Sequence, residues 1–391
     1  MKLIISFIIF LSTLYLVSSQ LKLPFQTKFN ISNANKDDIM KTLIDNDIFV
    51  QISIGSNNQI IDMNIKLEKE TTFILSDSCP LDILSQKFNE KNSETYKIMI
   101  EKSLYFSYDF KDATLSKDKV SLFLENNKKM KIDDFYFMLA YTLWDNNSKD
   151  MGGMLGLILS NRDDIPKRTD FLNQLKNNQI IDSFVFTLDY KDNYNGVLYI
   201  GNYFHDIDRS ISKDDLIISR ISISKNKWEM NIEAIISNNY IIKNITNLQL
   251  YYELGIIASP EYYHKYILEN FFKNYLNNQV CEEKCSKEKN KLIGQYCYIT
   301  CRKSDINIES FENLIFYSRD LNYNFTLNYK DLFYEFDNVI YFLIVFPEYQ
   351  IEENWYIGKP FFLKYKLFLD KDRKTIGIYK NYNENIIDKM K

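Results

Sequence analysis

Four of the five cysteines in this chain, Cys281, Cys285, Cys297 and Cys301, form two C-x3-C pairs with eleven residues between them. Such a set could hold a zinc ion through four thiolates, or close as two disulfides. A spacing of four predicts each pair on one face of a helix, and two such helices can lie antiparallel. That would set Cys281 against Cys301 and Cys285 against Cys297, stapling a small helical hairpin near residues 278–304. An oxidising compartment favours disulfides over zinc, and no metal site is expected. Cys79 is left over, expected to be free or buried. His205 and His264 are the only histidines. No G-x-S-x-G motif and no Cys–His pairing accompanies them, so they read as structural.

The N-terminus bears on the compartment. In MKLIISFIIFLSTLYLVSSQ one Lys precedes an apolar run, and Val17 and Ser19 stand at −3 and −1 of a cleavage site. Residues 1–19 are therefore predicted to be a secretory signal peptide. No later stretch reaches the roughly 18 apolar residues of a membrane span, and Val339 to Phe346 has the length of a buried strand. N-x-S/T sequons at Asn30, Asn146, Asn244 and Asn324 fit a secretory route. The net charge is −4 with both signs interspersed, which argues against nucleic acid and anionic membrane as partners. A hydrophobic content of 46% is enough for a sizeable core.

The elements that must position any site are mostly short β-type runs between polar turns, which predicts an all-β architecture. Phe49–Ile54, Ile61–Ile65, Thr72–Leu75, Ser121–Leu124, Ser183–Leu188 and Gly196–Ile200 make a first series. Leu216–Ile223, Trp228–Ile235, Tyr240–Ile242, Leu248–Tyr252, Val339–Phe346 and Tyr365–Leu369 make a second. Helices are expected over Asp170–Asn177 and Pro260–Asn277. The aromatic stripe Tyr262, Tyr263, Tyr266, Phe271, Phe272 and Tyr275 on the latter reads as core.

The two halves are approximate repeats. Lys66 lies 90 residues before Gly156, and Tyr251 lies 107 before Gly358. Each half thus has a strand and turn followed, about a hundred residues on, by an apolar pair ending in Gly.

With these parts in order, the chain resembles the pepsin-like aspartic proteases. Phe49 to Gly55 (FVQISIG) with Gln59 resembles the strand and I-G-T-P-x-Q turn before that family's first D-[TS]-G loop. Gly153 to Leu157 (GMLGL) resembles the segment that braces the loop. Phe171, Leu172, Gln174, Ile180 to Leu188 and Gly196 to Gly201 resemble the helix and strands that complete the first lobe. Trp228 and its strand, Trp355 to Phe362 (WYIGKPFF), and Asp370 with Ile376 and Gly377 resemble the second lobe. The resemblance covers nearly the whole chain after the signal peptide. It implies two six-stranded-barrel-type lobes, expected here at residues 47–206 and 207–391, with a short N-terminal segment at 20–46.

The chemistry the resemblance implies is missing from the residues. That mechanism needs two carboxylates sharing a proton, with a water between them. Counted from the flanks, the first aspartate falls on Lys66, followed by Leu67 and Glu68. The second falls on Tyr251, followed by Tyr252 and Glu253. A Lys of pKa ~10.4 is a cation and a Tyr of pKa ~10 stays protonated, so neither is a base at acidic pH. No Asp occurs between Leu216 and Ser304, and no D-T-G or D-S-G occurs anywhere.

The expectation is therefore a secreted, monomeric pseudoprotease without cofactor, whose interlobe cleft binds a polypeptide or glycan. The alternative is a divergent endopeptidase using Glu68 and Glu253 as a relocated carboxylate pair. Tyr105, Phe106 and Tyr108 are expected at the flap over the cleft, which lacks the family's glycines.

Overall fold

The structure, a computed structural model, describes residues 20–27, 39–67, 69, 71–81, 86–100, 110–143, 151–157, 168–207, 210–220, 227–237, 240–287, 289–348 and 353–379. The predicted signal peptide, Glu68 and the residues expected at the flap, Tyr105, Phe106 and Tyr108, lie outside them.

Strands dominate, in two large sheets of thirteen and eleven strands. The fold is all-β and bilobal. Alternation explains the local choice: in Leu21–Thr27 the side chains of Leu21, Leu23 and Phe25 are buried while Pro24 and Gln26 are exposed. The lobes share one stretch of sheet. Its strands run Leu216–Arg220, Thr375–Tyr379, Leu367–Asp370, Val185–Tyr190, Asn195–Ile200 and Leu21–Thr27. Leu369 opposite Phe186 and Asp370 opposite Val185 is where the halves meet.

The segment before residue 47 is woven into this frame. Leu21–Thr27 pairs with Asn195–Ile200 on one side and with Ile48–Phe49 on the other. A short helix, Ile39–Ile44, buries Ile39, Met40, Leu43 and Ile44. Those side chains pack with Leu254, Ile256, Ala258, Ile293, Tyr296, Tyr341 and Val345, all from the second half.

Several boundaries differ from the sequence reading. Tyr240–Ile242 and Leu248–Tyr252 are one strand, Tyr240–Leu250. Val339–Phe346 is two, Val339–Phe342 and Ile344–Pro347. The Pro260–Asn277 helix is interrupted by a π-helical turn, Leu268–Phe272. Among the described residues no helix is long and apolar enough to cross a membrane.

The cysteine region corrects the expected helical hairpin. Cys281–Cys285 and Tyr296–Arg302 are antiparallel strands, with Cys281 opposite Cys301 and Cys285 opposite Cys297. Both pairs are disulfide-bonded. Residues i and i+4 share a face on a strand as well as on a helix, so the spacing alone did not separate the two. Cys79 is a free, buried thiol.

Candidate functional site

Two strand ends define the candidate site, and each is set by the same construction. In the first half, Gln59–Lys66 runs parallel to Gly153–Gly156, with Met63 opposite Gly153 and Lys66 opposite Gly156. The Leu157 amide then donates to the Lys66 carbonyl at 2.8 Å. In the second, Tyr240–Leu250 runs parallel to Trp355–Ile357, with Leu250 opposite Ile357. The Tyr251 amide continues that ladder by donating to the Ile357 carbonyl at 2.9 Å. Lys66 and Tyr251 therefore hold equivalent places, each one beside the glycine of its bracing segment.

Close approach explains the second of those glycines. A Cβ on Gly358 would lie 2.1 Å from the Ile256 carbonyl oxygen and 2.3 Å from that of Leu254. Only a residue without a side chain lets the brace pass behind the Tyr251 turn.

Lys66 has a carboxylate partner. Its Nζ lies 3.0 Å from Oδ1 of Asp47, and Asn64 Nδ2 donates to the same oxygen at 2.7 Å. Asn64 is fully buried and Lys66 and Asp47 are partly so. Asp47 lies three residues after the helix Ile39–Ile44, so the entry of the first lobe supplies the countercharge.

Tyr251 turns its hydroxyl to Gln249 Oε1 at 3.3 Å, and its ring lies edge-on to Tyr356. Tyr252 is fully buried with its ring centroid 3.9 Å from that of Phe362, and burial holds its phenol far above the usual range. Glu253 is 5% exposed. Its backbone carbonyl accepts from the Asn46 amide at 3.0 Å.

Asn46 ties the site together. It is fully buried, and its Nδ2 donates to the Tyr190 hydroxyl and to the Tyr252 carbonyl, each at 3.0 Å. Tyr190 donates to that carbonyl too, at 3.2 Å. Lys359, next after Gly358, gives Nζ to Asn46 Oδ1 at 3.2 Å and to the Asn193 carbonyl. Burial pushes the Lys359 ammonium down to about 8, with Asp192 opposing the shift. The network joins the N-terminal segment, the shared sheet, the second loop and its brace. Gly255 closes the contact: its amide donates to the Ile44 carbonyl at 2.9 Å, and a Cβ there would sit 1.8 Å from the Leu43 carbonyl oxygen.

The two parallel braces, one per half, are the frame of a known family. The profile of eukaryotic aspartyl proteases matches residues 48–381. The chain belongs to that family. No curated protein matches it. Among solved structures this aspartyl-protease homologue is similar to the crystal structure of basic 7S globulin from soybean. The two are 12% identical at a TM-score of 0.62, over 92% of this chain and 94% of that one. At that identity the likeness speaks to the fold.

Within the homologue, the remaining residues singled out in the sequence are dispersed. His205 Nδ1 meets the Tyr379 hydroxyl, and the ring stacks on Tyr203. His264 stacks on Phe346 with Nε2 2.8 Å from Glu283. Tyr263 and Phe272 of the aromatic stripe are core, and Tyr262 accepts from Trp355 Nε1 at 2.6 Å. Sequence reasoning missed Asp47, Asn46 and Lys359. The one available signal was Lys359 itself, a cation at the place where the family's segment carries an acid.

Proposed function

We propose that this homologue is a secreted, non-proteolytic member of its family that binds a polypeptide or glycan between its lobes. The observation carrying the proposal is the Lys66–Asp47 ion pair at the first strand end, matched by Tyr251 at the second. Aspartic catalysis needs two carboxylates about 3 Å apart sharing one proton, so that one activates water while the other donates. An ammonium at one place and a phenol at the other can donate, but neither is the base that would activate water. Asp47 brings a carboxylate to Lys66, but one already engaged as the acceptor of an ion pair and an amide hydrogen bond. The scaffold of the loops is altered as well: Leu67 buries an apolar side chain and Tyr252 a bulky phenol where the family's loops carry small hydroxyl residues.

Two disulfides and the signal-like N-terminus support an oxidising, secretory location. Monomeric state and cofactor-free binding complete the proposal.

The competing reading, a relocated pair of Glu68 and Glu253, draws on the burial of Glu253. One experiment separates the two. Purified mature protein is incubated with a denatured protein substrate across pH 3 to 7, with and without pepstatin, beside a Glu68→Gln, Glu253→Gln double variant. Absence of turnover in both is expected. Turnover lost in the double variant would assign the chemistry to the glutamates and end the binding-protein reading.

A further inference from the structure

We propose that Asn324 carries an N-linked glycan that covers the open edge of the second-lobe sheet. The inference rests on the secretory location proposed above. Asn324-Phe325-Thr326 is a sequon, and it lies on the strand Tyr323–Leu327 at one end of the eleven-stranded sheet. That strand pairs with Leu314–Ser318 on one side, with Asn324 opposite Tyr317. Among the described residues no strand pairs with its other side. Asn30 and Asn146 lie outside the described residues, and Asn244 sits within Tyr240–Leu250, opposite Ala234.

The backbone shows which groups face outward. The Thr326 amide donates to the Tyr365 hydroxyl at 2.7 Å, and that hydroxyl donates to the Thr326 carbonyl at 2.9 Å. Thr326 therefore turns its peptide groups away from the neighbouring strand. In an antiparallel ladder, alternate residues aim their peptide groups the same way, so Asn324 also points its N–H and C=O off the sheet. Tyr365 covers the edge at Thr326, where both of these hydrogen bonds fall. Side chains alternate too: Phe325 and Leu327 are buried, while Asn324 is exposed. A glycan on that amide would stand in solvent beside the uncovered peptide groups. An open edge is a template for pairing with a second chain, and proteins blunt such edges with charge, proline or cover. Asn-Phe-Thr brings no charge and no proline; a glycan is bulky and solubilising.

The donor is a lipid-pyrophosphate-linked oligosaccharide, and the enzyme is the oligosaccharyltransferase of the secretory route. Asn324 Nδ2 bonds to C1 of the reducing-end sugar, and the bond from C1 to the pyrophosphate oxygen breaks. The lipid pyrophosphate leaves with the electron pair, and the amide loses one proton.

The test expresses the full chain in eukaryotic cells and maps its peptides by mass spectrometry before and after enzymatic glycan removal. Asn324 recovered as Asp after removal is expected. Protein that reaches the medium with Asn324 unmodified overturns the glycan while leaving secretion intact. Protein that never enters the secretory route overturns both. The covering role is read by size-exclusion chromatography over rising concentration, with folding checked by circular dichroism. Thr326→Ala, which destroys the sequon, should self-associate, and Thr326→Ser, which keeps it, should not. Equal monodispersity of all forms would overturn the covering role.

Discussion

Lys66 Nζ stands 3.0 Å from Asp47 Oδ1, so the strand end equivalent to Tyr251 is occupied by a neutralised cation. Asn64 adds a hydrogen bond to the same oxygen, and the three residues lock the entry of the first lobe to the strand behind its loop. Replacing Asp47 by Asn keeps an acceptor but removes the charge. Partly exposed pairs are worth up to about 1 kcal/mol, and Asn64 makes this one better ordered than most. Asp47→Asn should lower unfolding free energy by about 1 kcal/mol in urea titration, with a smaller loss at high salt.

On the proposed non-proteolytic reading, aspartates at the two strand ends should not confer proteolysis. A Lys66→Asp, Tyr251→Asp double variant would place carboxyl groups at both strand ends, yet Leu67 and Tyr252 would still fill the loops with bulky buried side chains. Catalysis by positioned groups falls steeply when geometry is off by about 1 Å. The expected result is no pepstatin-sensitive cleavage from pH 3 to 7; measurable turnover would mean that the loops already hold the working geometry.

Asn46 is the side chain whose loss should cost most. Its amide serves Tyr190 and the Tyr252 carbonyl, and its oxygen accepts from Lys359. Asn46→Ala leaves those buried partners short of hydrogen bonds, each worth roughly 1–3 kcal/mol to leave unmade. A loss of about 3 kcal/mol is expected by denaturant unfolding, against a small change for an exposed control such as Asn57→Ala.

Lys359 should make stability rise on the alkaline side. Its folded value, about 8, lies below the ordinary 10.5, so the unfolded chain binds more protons between the two. Below about pH 8 the cost of burying the charge is carried in full; it is relieved as pH climbs toward 10. The gain over that window is roughly 3 kcal/mol at most, since a tenfold change in proton affinity corresponds to about 1.4 kcal/mol. Thermal melts from pH 7 to 10 should show the rise, and Lys359→Met should flatten it.

The nested disulfides close loops with sequence separations of 20 and 12. They hold a hairpin whose connecting turn places Ile293 on the helix Ile39–Ile44 and Asn290 Nδ2 3.2 Å from Asp45 Oδ1. Cys281→Ser with Cys301→Ser should cost about 2–4 kcal/mol by the loop-closure argument. Amide exchange in residues 39–44 should accelerate in the same variant, because the cover on that helix loosens.

Much of this molecule is legible along the chain. Alternating apolar residues place most of the strands, and the repeated turn-and-glycine spacing by itself pairs Lys66 with Gly156 and Tyr251 with Gly358. Local periodicity and spacing are constraints that any fold must respect. The strand Leu21–Thr27 escaped because most of its pairing is with Asn195–Ile200, far along the chain, and seven residues with a proline among them give little signal alone. C-x3-C fits a helix and a strand alike, because residues four apart share a face on both; the choice fell to partners on the neighbouring strand.

What tertiary structure alone decided is where charge is satisfied. The sequence by itself determined that no D-T-G or D-S-G triplet occurs, since that is a matter of residue identity. It carried no sign that Asp47 would meet Lys66, or that Asn46 would bridge Tyr252, 206 residues away, and Lys359, 313 residues away. A hydrogen bond or ion pair depends on a few ångströms in space, and chain separation says nothing about that distance until the sheets have closed.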